Sequence, residues 1–205
     1  YRIARFILTK GGGADDGPGL FGDDLPQTDP SSLATDIDDP VCRRIIAGGH
    51  ADFLKIERSV DEKTGKRRKE ITVDEVRAVG SFLSMTPAEG GWRVVVIDSA
   101  DEMNANAANA VLKVLEEPPK RALLLLVSHN PGRLLPTIRS RCRRLMLKAL
   151  SEQTVSDLLV QYDPEMLAED AAELASIADG SIGRALDLSG EGGLEVYREI
   201  SGILD

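Results

Sequence analysis

An aspartate followed by a serine lies at the end of a short, largely β-branched apolar run, where chemistry on phosphate groups could take place. The run spans 93–97, and Asp98 and Ser99 follow it. Such a run is typical of a strand buried on both faces of a parallel sheet. In enzymes that hydrolyse nucleoside triphosphates, a carboxylate at this strand end can help hold the Mg²⁺ that bridges the phosphates. The next residue in such enzymes is normally a glutamate that polarises the attacking water. A serine hydroxyl cannot act as that base near neutral pH without a partner, so we interpret the pair as a degenerate metal and nucleotide site.

An arginine further along the chain could do chemistry of a different kind. Ser140, Arg141 and Cys142 follow the loop residues 134–139. An arginine in an exposed loop beyond the carboxyl edge of a sheet can project into a neighbouring subunit and neutralise the charge of a transferring phosphate there. The structural alternatives are that Arg141 pairs with an acidic neighbour in its own chain, that Ser140 forms a turn, and that Asp98 caps a strand.

The elements that must position these residues alternate between helix and strand. Thr72 and Glu75 form a capping box, Asn104 can cap a second helix, and two prolines at 118 and 119 stop it. In chain order, the predicted elements are a helix in 1–8, a strand in 52–57, a helix from Thr72 toward Met85, a strand in 93–97, a helix from Asn104 to 117, a strand in 122–127 and a final strand in 143–150.

Three short amphipathic helices are predicted after this α/β part. They run from Ser151 to Tyr162, from Asp163-Pro164 to near Gly180, and onward from Ser181, and a further helix begins in 193–205. The pattern predicts an α/β domain over 1–150 and a three-helix, lid-like subdomain over 151–190. Residues 191–205 are expected to be the start of another helical domain.

The order of these features resembles the clamp-loader branch of the AAA+ ATPases. The matching frame is Ile97-Asp98, then Asn-Ala-Val-Leu-Lys-Val-Leu-Glu-Glu-Pro-Pro at 109–119, then Pro-Thr-Ile-Arg-Ser-Arg-Cys at 136–142. It is similar to bacterial DNA polymerase III clamp-loader subunits, most strongly over 71–150 and more weakly to Ser189. The resemblance implies an AAA+ (RecA-like) parallel sheet flanked by helices, a small three-helix lid, and a helical collar domain that starts at 191–205.

Motor subunits of that family (gamma and tau) carry Asp-Glu where this chain has Asp98-Ser99. The sequence therefore resembles the delta prime branch, whose members are non-hydrolysing stators. The resemblance implies that Arg141, between Ser140 and Cys142, is a finger that reaches the ATP of an adjacent subunit, and that Ser128 occupies a sensor-like position. The implied partners are gamma/tau and delta, with DNA met only through the assembly. The implied role is sliding-clamp loading in DNA replication, within the DNA polymerase III holoenzyme, a nucleotidyltransferase complex, without catalysis by this chain alone.

Two other functions stay open at this point. One is an active ATPase motor subunit of the same family, and the other is a stand-alone AAA+ DNA-remodelling protein such as a junction helicase. Ser99 argues against both, since each needs a residue that activates water.

Two further departures from the family pattern concern nucleotide binding. The motif Gly-x-x-x-x-Gly-Lys-[Ser/Thr] is absent, and the glycines at 11–13 are not followed by it. Residues 1–8 resemble the helix that follows this loop in the family, so we expect a fragment that is truncated at both ends and takes no nucleotide cofactor. In the lid pattern 180–186, Arg184 is displaced by one residue, which turns a side chain by about 100° around a helix.

The cysteines and histidines bear on metal binding and compartment. Motor subunits of the family commonly carry a four-cysteine zinc module, but here Cys42 and His50 cannot complete a tetrahedral site. We predict no zinc, with Cys42 as an apolar filler and His50 as an ordinary loop or strand-edge residue. Two cysteines form no disulfide framework, which favours a cytoplasmic location. No apolar run approaches the roughly 20 residues of a membrane span, so no membrane partner is expected.

The charge balance argues against independent DNA binding. The formal net charge is −9, whereas a chain that grips phosphates by itself usually has a basic surplus. The basic run 66–69 is interpreted as a solvated loop rather than a DNA contact. The segment 11–40 has only aspartates as charged residues, mixed with Gly, Pro and Ser. It is expected to be a flexible loop, with a Mg²⁺ or Ca²⁺ loop as the alternative.

Overall fold

The computed structural model describes residues 1–10, 32–61, 63–89, 91–190 and 192–204. The described elements in chain order are α1 (Arg2–Lys10), α2 (Pro40–Ile46), β1 (Phe53–Ile56), α3 (Val73–Ser84), β2 (Arg93–Asp98), α4 (Ala105–Glu116), β3 (Ala122–Val127), α5 (Pro136–Arg139), α6 (Glu152–Tyr162), α7 (Ala168–Ile177), α8 (Ile182–Gly190) and α9 (Gly193–Leu204). They separate into two compact units, residues 1–144 and 145–205.

The first unit is built on a parallel sheet in the order β1-β2-β3, as far as the chain is described. β2 is paired on both sides, with Val95 opposite Leu54 of β1 and Leu124 of β3. Its side chains are almost wholly buried because helices cover both faces of the sheet. The predicted α/β fold class, a parallel sheet flanked by helices, is confirmed.

The alternation of side chains along β2 divides the core into two layers. Val95 and Ile97 pack on one face with buried residues of α3 and α4. Val94 and Val96 pack on the opposite face with Ala4 of α1 and residues of α2. Successive side chains of a strand point to opposite faces, so a single apolar run supplies both layers.

The predicted helix starts of this unit are present. Glu75 accepts the Thr72 backbone N–H at 2.5 Å, as in the predicted capping box of α3, and also accepts a hydrogen bond from the Thr72 hydroxyl at 2.9 Å. The Asn104 side chain accepts from the Ala107 N–H at 2.9 Å and begins α4. These side-chain acceptors satisfy N–H groups that have no partner in the first turn of a helix.

A buried ion pair fixes the amino-terminal edge of the sheet. Asp52 accepts the backbone N–H groups of Ala88 at 2.8 Å and Glu89 at 3.0 Å. The Arg93 guanidinium lies 3.3 Å from the same carboxylate and stacks over the ring of Phe82, with 4.7 Å from its central carbon to the ring centroid. Arg93 also donates to the carbonyls of Phe82, in the last turn of α3, and of Thr86, so the end of α3 and the loop after it are tied to the first residue of β2.

The second unit is a helical cluster with its own apolar core. Buried residues of α6, α7 and α8 pack together with Leu194 of α9. Arg198 of α9 donates to Glu173 at 2.7 Å and to Asp170 at 2.5 Å, both on α7. The hydrogen bond to Glu173, then that to Asp170, raises the pKa of Arg198 above its ordinary value.

Two predictions about elements are wrong. Residues 143–150 form no strand, and Leu145, Met146 and Leu147 are largely exposed. A strand requires a hydrogen-bonded neighbour, and this segment has none within the described residues; Leu150 instead donates its N–H to the Gly180 carbonyl. α7 begins at Ala168 rather than at Asp163-Pro164, because residues 164–166 form a turn that closes on Asp163.

Part of the acidic segment predicted at 11–40, including the glycines at 11–13, lies at 11–31, outside the described residues. Its last residues are described: Asp39 accepts the Val41 N–H at 2.7 Å and caps α2. In the part of the chain that the structure describes, no helix is long and apolar enough to cross a membrane.

Candidate functional site

Asp98 and Ser128 follow neighbouring strands at the same edge of the sheet. Asp98 ends β2 and pairs in register with Val127, the last residue of β3, and Ser128 comes next. The Ser99 hydroxyl donates to Asp98 Oδ1 over 3.4 Å. The Ser128 hydroxyl oxygen is buried and makes no hydrogen bond to a described residue. The carboxyl ends of parallel strands lie at the same edge of a sheet, so Asp98, the predicted metal-site remnant, and Ser128, the predicted sensor-like residue, share that edge. Their roles stay predictions.

A second carboxylate, Asp101, joins the two strand ends. It lies in the single turn of 3₁₀-helix (Ala100–Glu102) after β2 and accepts the N–H groups of His129 at 3.1 Å and Asn130 at 3.2 Å. Burial by itself raises the pKa of Asp101, but these hydrogen bonds, its own backbone N–H and the nearby Ser128 hydroxyl outweigh burial and lower it. Ser128 acts here by proximity, since its hydroxyl does not reach hydrogen-bond geometry.

The contacts of Asp101 decide its chemistry. Its two oxygens each accept a backbone N–H, and its lowered pKa favours the ionised form. A general base needs an oxygen directed at water in the reacting position. Asp101 is instead used to hold the loop after β3.

Arg141 lies at the surface and is held by two contacts within its own unit. One guanidinium nitrogen lies 3.0 Å from Glu116 Oε1, and another donates to the Thr137 carbonyl at 3.1 Å. The side chains of Arg141 and Glu116 remain 37% and 51% exposed. The structural alternative named for Arg141, an acidic neighbour in its own chain, is therefore present, but the guanidinium is not sequestered from solvent.

The position of that contact separates Arg141 from the strand-end residues. α4 begins after the carboxyl end of β2 and ends at Glu116, before β3. Twelve helical residues at about 1.5 Å each span about 18 Å. Arg141 is held at the far end of this helix from Asp98 and Ser99, not beside the carboxyl edge as the loop order suggested.

The neighbours of Arg141 have local structural contacts. The Ser140 hydroxyl donates to the Thr137 carbonyl at 3.1 Å, as expected for a turn former. Cys142 is partly buried, and this burial raises the pKa of its thiol above the ordinary value. The Ser140 hydrogen bond stabilises the turn before Arg141, and the roles of Ser140 and Cys142 in the site stay predictions.

In the helical unit, Arg184 forms an ion pair with Asp179 near the start of α8. Its backbone N–H donates to the Ser181 hydroxyl at 3.3 Å, so the first turn of α8 begins where predicted. The guanidinium of Arg184 thus has a carboxylate partner beside it in this unit.

The residues weighed for zinc are both buried. Cys42 lies in the core, and His50 is buried before β1, not at a strand edge, with its Nδ1 accepting the Asp52 N–H at 3.0 Å. His50 Nε2 lies 3.8 Å from Glu89 Oε1. The described residues contain no group of three or more His, Cys, Asp and Glu side chains that could hold a metal ion. The absence of zinc stays a prediction.

The basic run 66–69 lies in an exposed turn. The Arg68 N–H donates to the Ser59 carbonyl at 2.8 Å, and Val60 and Arg67 form an isolated antiparallel bridge. Arg67 also lies 3.9 Å from Glu57, which offsets part of its charge. These contacts fit the interpretation as a solvated loop.

The contacts of Glu116 and Asp101 were not among the sequence predictions. Glu116 was noted only as part of the Glu-Glu-Pro-Pro sequence, and its contact with Arg141 joins residues 25 positions apart. A signal for Asp101 was available, because an aspartate just past a buried strand can accept backbone N–H groups of the adjacent strand's loop. No local pattern could have indicated Glu116.

The fold and the site together define a class of protein. A parallel sheet with helices on both faces, carboxylate and hydroxyl groups at its carboxyl edge, and a separate helical unit after it are the architecture of AAA+ (RecA-like) proteins.

Comparison with known proteins then gives the family. Residues 27–151 match the family described as DNA polymerase III, delta subunit, and this chain belongs to that family. It is 40% identical over 151 residues to DNA polymerase III subunit delta' of Pseudomonas aeruginosa, covering 74% of this chain and 44% of that protein. It is 32% identical over 152 residues to DNA polymerase III subunit tau of Escherichia coli, covering 72% and 22% respectively.

A solved structure is also similar. The DNA polymerase III gamma subunit-related protein of Thermotoga maritima shares 27% identity with a TM-score of 0.46, covering 67% of this chain and 48% of that one. This chain spans less than half the length of each of these relatives.

Proposed function

We propose that this chain is part of a delta prime-type subunit of a bacterial DNA polymerase III clamp loader, a non-hydrolysing stator. In this role it presents Arg141 to the ATP bound by an adjacent gamma or tau subunit. The assembled complex, with the delta subunit, then opens a sliding clamp and loads it on primed DNA in the cytoplasm. DNA is contacted through the assembly, in keeping with the net charge of −9.

The observation that carries this proposal is the distance between Arg141 and the strand-end residues Asp98 and Ser99. Arg141 is held at one end of α4, about 18 Å along the helix from the edge with Asp98 and Ser99. A guanidinium at that distance cannot act on a phosphate held at its own strand-end site. It can act in trans, where an arginine that neutralises the charge of a transferring phosphoryl group is worth about 10³- to 10⁵-fold in rate.

Ser99 supports the non-hydrolysing part of the proposal. The two carboxylates that follow Ser99 are both engaged in other contacts: the Asp101 oxygens accept backbone N–H groups, and Glu102 pairs with Arg58 at 2.8 Å. The similarity to delta' of Pseudomonas aeruginosa is in keeping with this role.

The test replaces Arg141 by Ala in the full-length subunit and reconstitutes the complex. ATP hydrolysis at the adjacent site should fall by about 10³-fold or more, while Arg139→Ala, two residues earlier at the end of α5, should leave it unchanged. An unchanged rate with Arg141→Ala would reject the finger role.

The second candidate is an ATPase motor subunit of the same family, which the similarity to tau of Escherichia coli favours. The two functions differ in the turnover of the isolated full-length subunit. A stator should hydrolyse no ATP above background. Ser99→Glu introduces the glutamate that the motor subunits carry at this position and tests whether its absence is the reason for the lack of turnover. Motor-like turnover by the unaltered subunit would favour this candidate.

A further inference from the structure

We propose that Glu116 is the positioning residue for Arg141: it holds the guanidinium at the surface in the orientation from which it meets the neighbouring triphosphate. This inference rests on the proposed function and adds to it a second residue of the same trans site. The contact on which it stands is the 3.0 Å approach of the Arg141 guanidinium to Glu116 Oε1, supported by the 3.1 Å hydrogen bond to the Thr137 carbonyl.

Glu116 is suited to this task because of where it lies. It is the last residue of α4, which is fixed to the core by Ala107, Ala108 and Val111. Its carboxylate is therefore carried by a rigid element, while Arg141 follows the short helix α5 in an exposed turn. The carbonyl groups at the end of α4 add partial negative charge that attracts a cation to the same place.

Holding the guanidinium at two points reduces the entropy lost when it engages phosphate. An arginine side chain is long, and ordering it at an interface costs conformational entropy. A guanidinium has five N–H donors, and the contacts to Glu116 and Thr137 engage two of its nitrogens. The planar fork can thus rest on Glu116 with one edge and leave other donors for phosphate oxygens.

The pair is too weak to withhold the arginine. Both side chains are well exposed, and exposed ion pairs contribute little to stability. A triphosphate carries several negative charges where Glu116 carries one, so at the same distance it attracts the guanidinium more strongly. Glu116 therefore orients Arg141 without competing effectively for it, and its loss should slow the reaction rather than speed it.

The experiment measures ATP hydrolysis by a complex reconstituted from full-length subunits, with clamp and primed DNA present. Glu116→Ala should lower kcat at the adjacent site by about two- to tenfold with little change in KM, because the finger acts on the charge that develops during transfer. Glu116→Gln, whose amide oxygen can still accept a hydrogen bond, should lose less. Glu117→Gln removes the same charge one residue later and is the matched control, expected to be unchanged.

A double-mutant cycle separates positioning from a general structural effect. With Arg141→Ala already present, Glu116→Ala should cause no further loss, and both variants should assemble as the parent does. A rate with Glu116→Ala that is unchanged or higher, or a full further loss in the Arg141→Ala background, would overturn the positioning role. If Arg141→Ala itself has no effect on ATP hydrolysis, the proposed function is rejected together with the positioning role. If Arg141→Ala lowers the rate but the Glu116 variants do not, only the positioning role is rejected.

Discussion

Replacing Asp52 by Asn should strongly destabilise the unit formed by residues 1–144. The carboxylate is 1% exposed and serves three groups at once: the N–H groups of Ala88 and Glu89 and the guanidinium of Arg93. The amide of asparagine keeps one acceptor oxygen but directs an NH₂ group at one of these donors. The buried Arg93, 5% exposed, would then lack its only charged partner within the described residues.

The magnitude follows from the burial of both ions. Removing one partner of a buried ion pair costs about 3–5 kcal/mol, because the other charge stays buried without compensation. One backbone N–H that loses its acceptor adds about 1–3 kcal/mol, although the two terms are not additive. Arg93 keeps its hydrogen bonds to the carbonyls of Phe82 and Thr86, which limits the loss. We expect about 3–5 kcal/mol in the free energy of unfolding of this unit.

Urea unfolding followed by fluorescence measures this loss. The chain has a single tryptophan, Trp92, next to Arg93 and partly buried in the first unit. Its emission therefore reports unfolding of that unit rather than of the helical one. Asp74→Asn is the matched control, since Asp74 is 80% exposed and pairs only with Arg77 at the surface in the described structure; it should change stability by less than about 0.5 kcal/mol. An Asp52→Asn midpoint equal to that of the control would refute the reasoning.

The remaining predictions concern the helical unit and the strand-end loop. Gly180→Ala should cost about 2–4 kcal/mol of helical-unit stability by thermal unfolding, since Gly180 has φ +71° and an added Cβ would lie 2.4 Å from the Leu150 carbonyl oxygen. The comparison is Gly48→Ala: Gly48 has a similar φ of +72° but open space around it, so the change should cost only about 1 kcal/mol. Equal losses for the two variants would contradict the steric argument. Asp101→Asn should cost about 1–2 kcal/mol at pH 7. Folding lowers the pKa of Asp101, so its contribution to the free energy of unfolding is present above the ordinary carboxyl pKa and is lost as pH falls through the lowered value. The stability difference between parent and variant in urea titrations should therefore shrink on acidification. A difference independent of pH between 7 and 3 would reject this explanation.

Much of the first unit could be predicted from local pattern. The continuous apolar runs of β2 and β3 predict buried parallel strands because a strand covered on both faces needs no polar alternation. The caps at Thr72 and Asn104 predict where helices start, because each side chain satisfies N–H groups a few residues away. Strand order then predicts that Asp98 and Ser128 meet at one edge.

Residues 143–150 show where such reasoning stops. Their composition favours a strand, but strand formation depends on a hydrogen-bonded neighbour, which is not a property of the segment. The start of α7 was misplaced for a related reason, since Asp163 and Pro164 are compatible with both a helix start and a turn, and here they form a turn.

By itself the sequence determined the α/β class, the strand ends that carry Asp98 and Ser128, the substitution at Ser99 and the candidate arginine at 141, because each depends on residues within a turn or a strand of one another. Tertiary structure alone decided that Arg141 rests on Glu116 at the far end of α4, that Asp101 holds the loop at 129–130, and that Asp52 and Arg93 form a buried pair. These contacts join residues about 25 to 40 positions apart, and their existence depends on how packed helices and strands bring the chain back on itself.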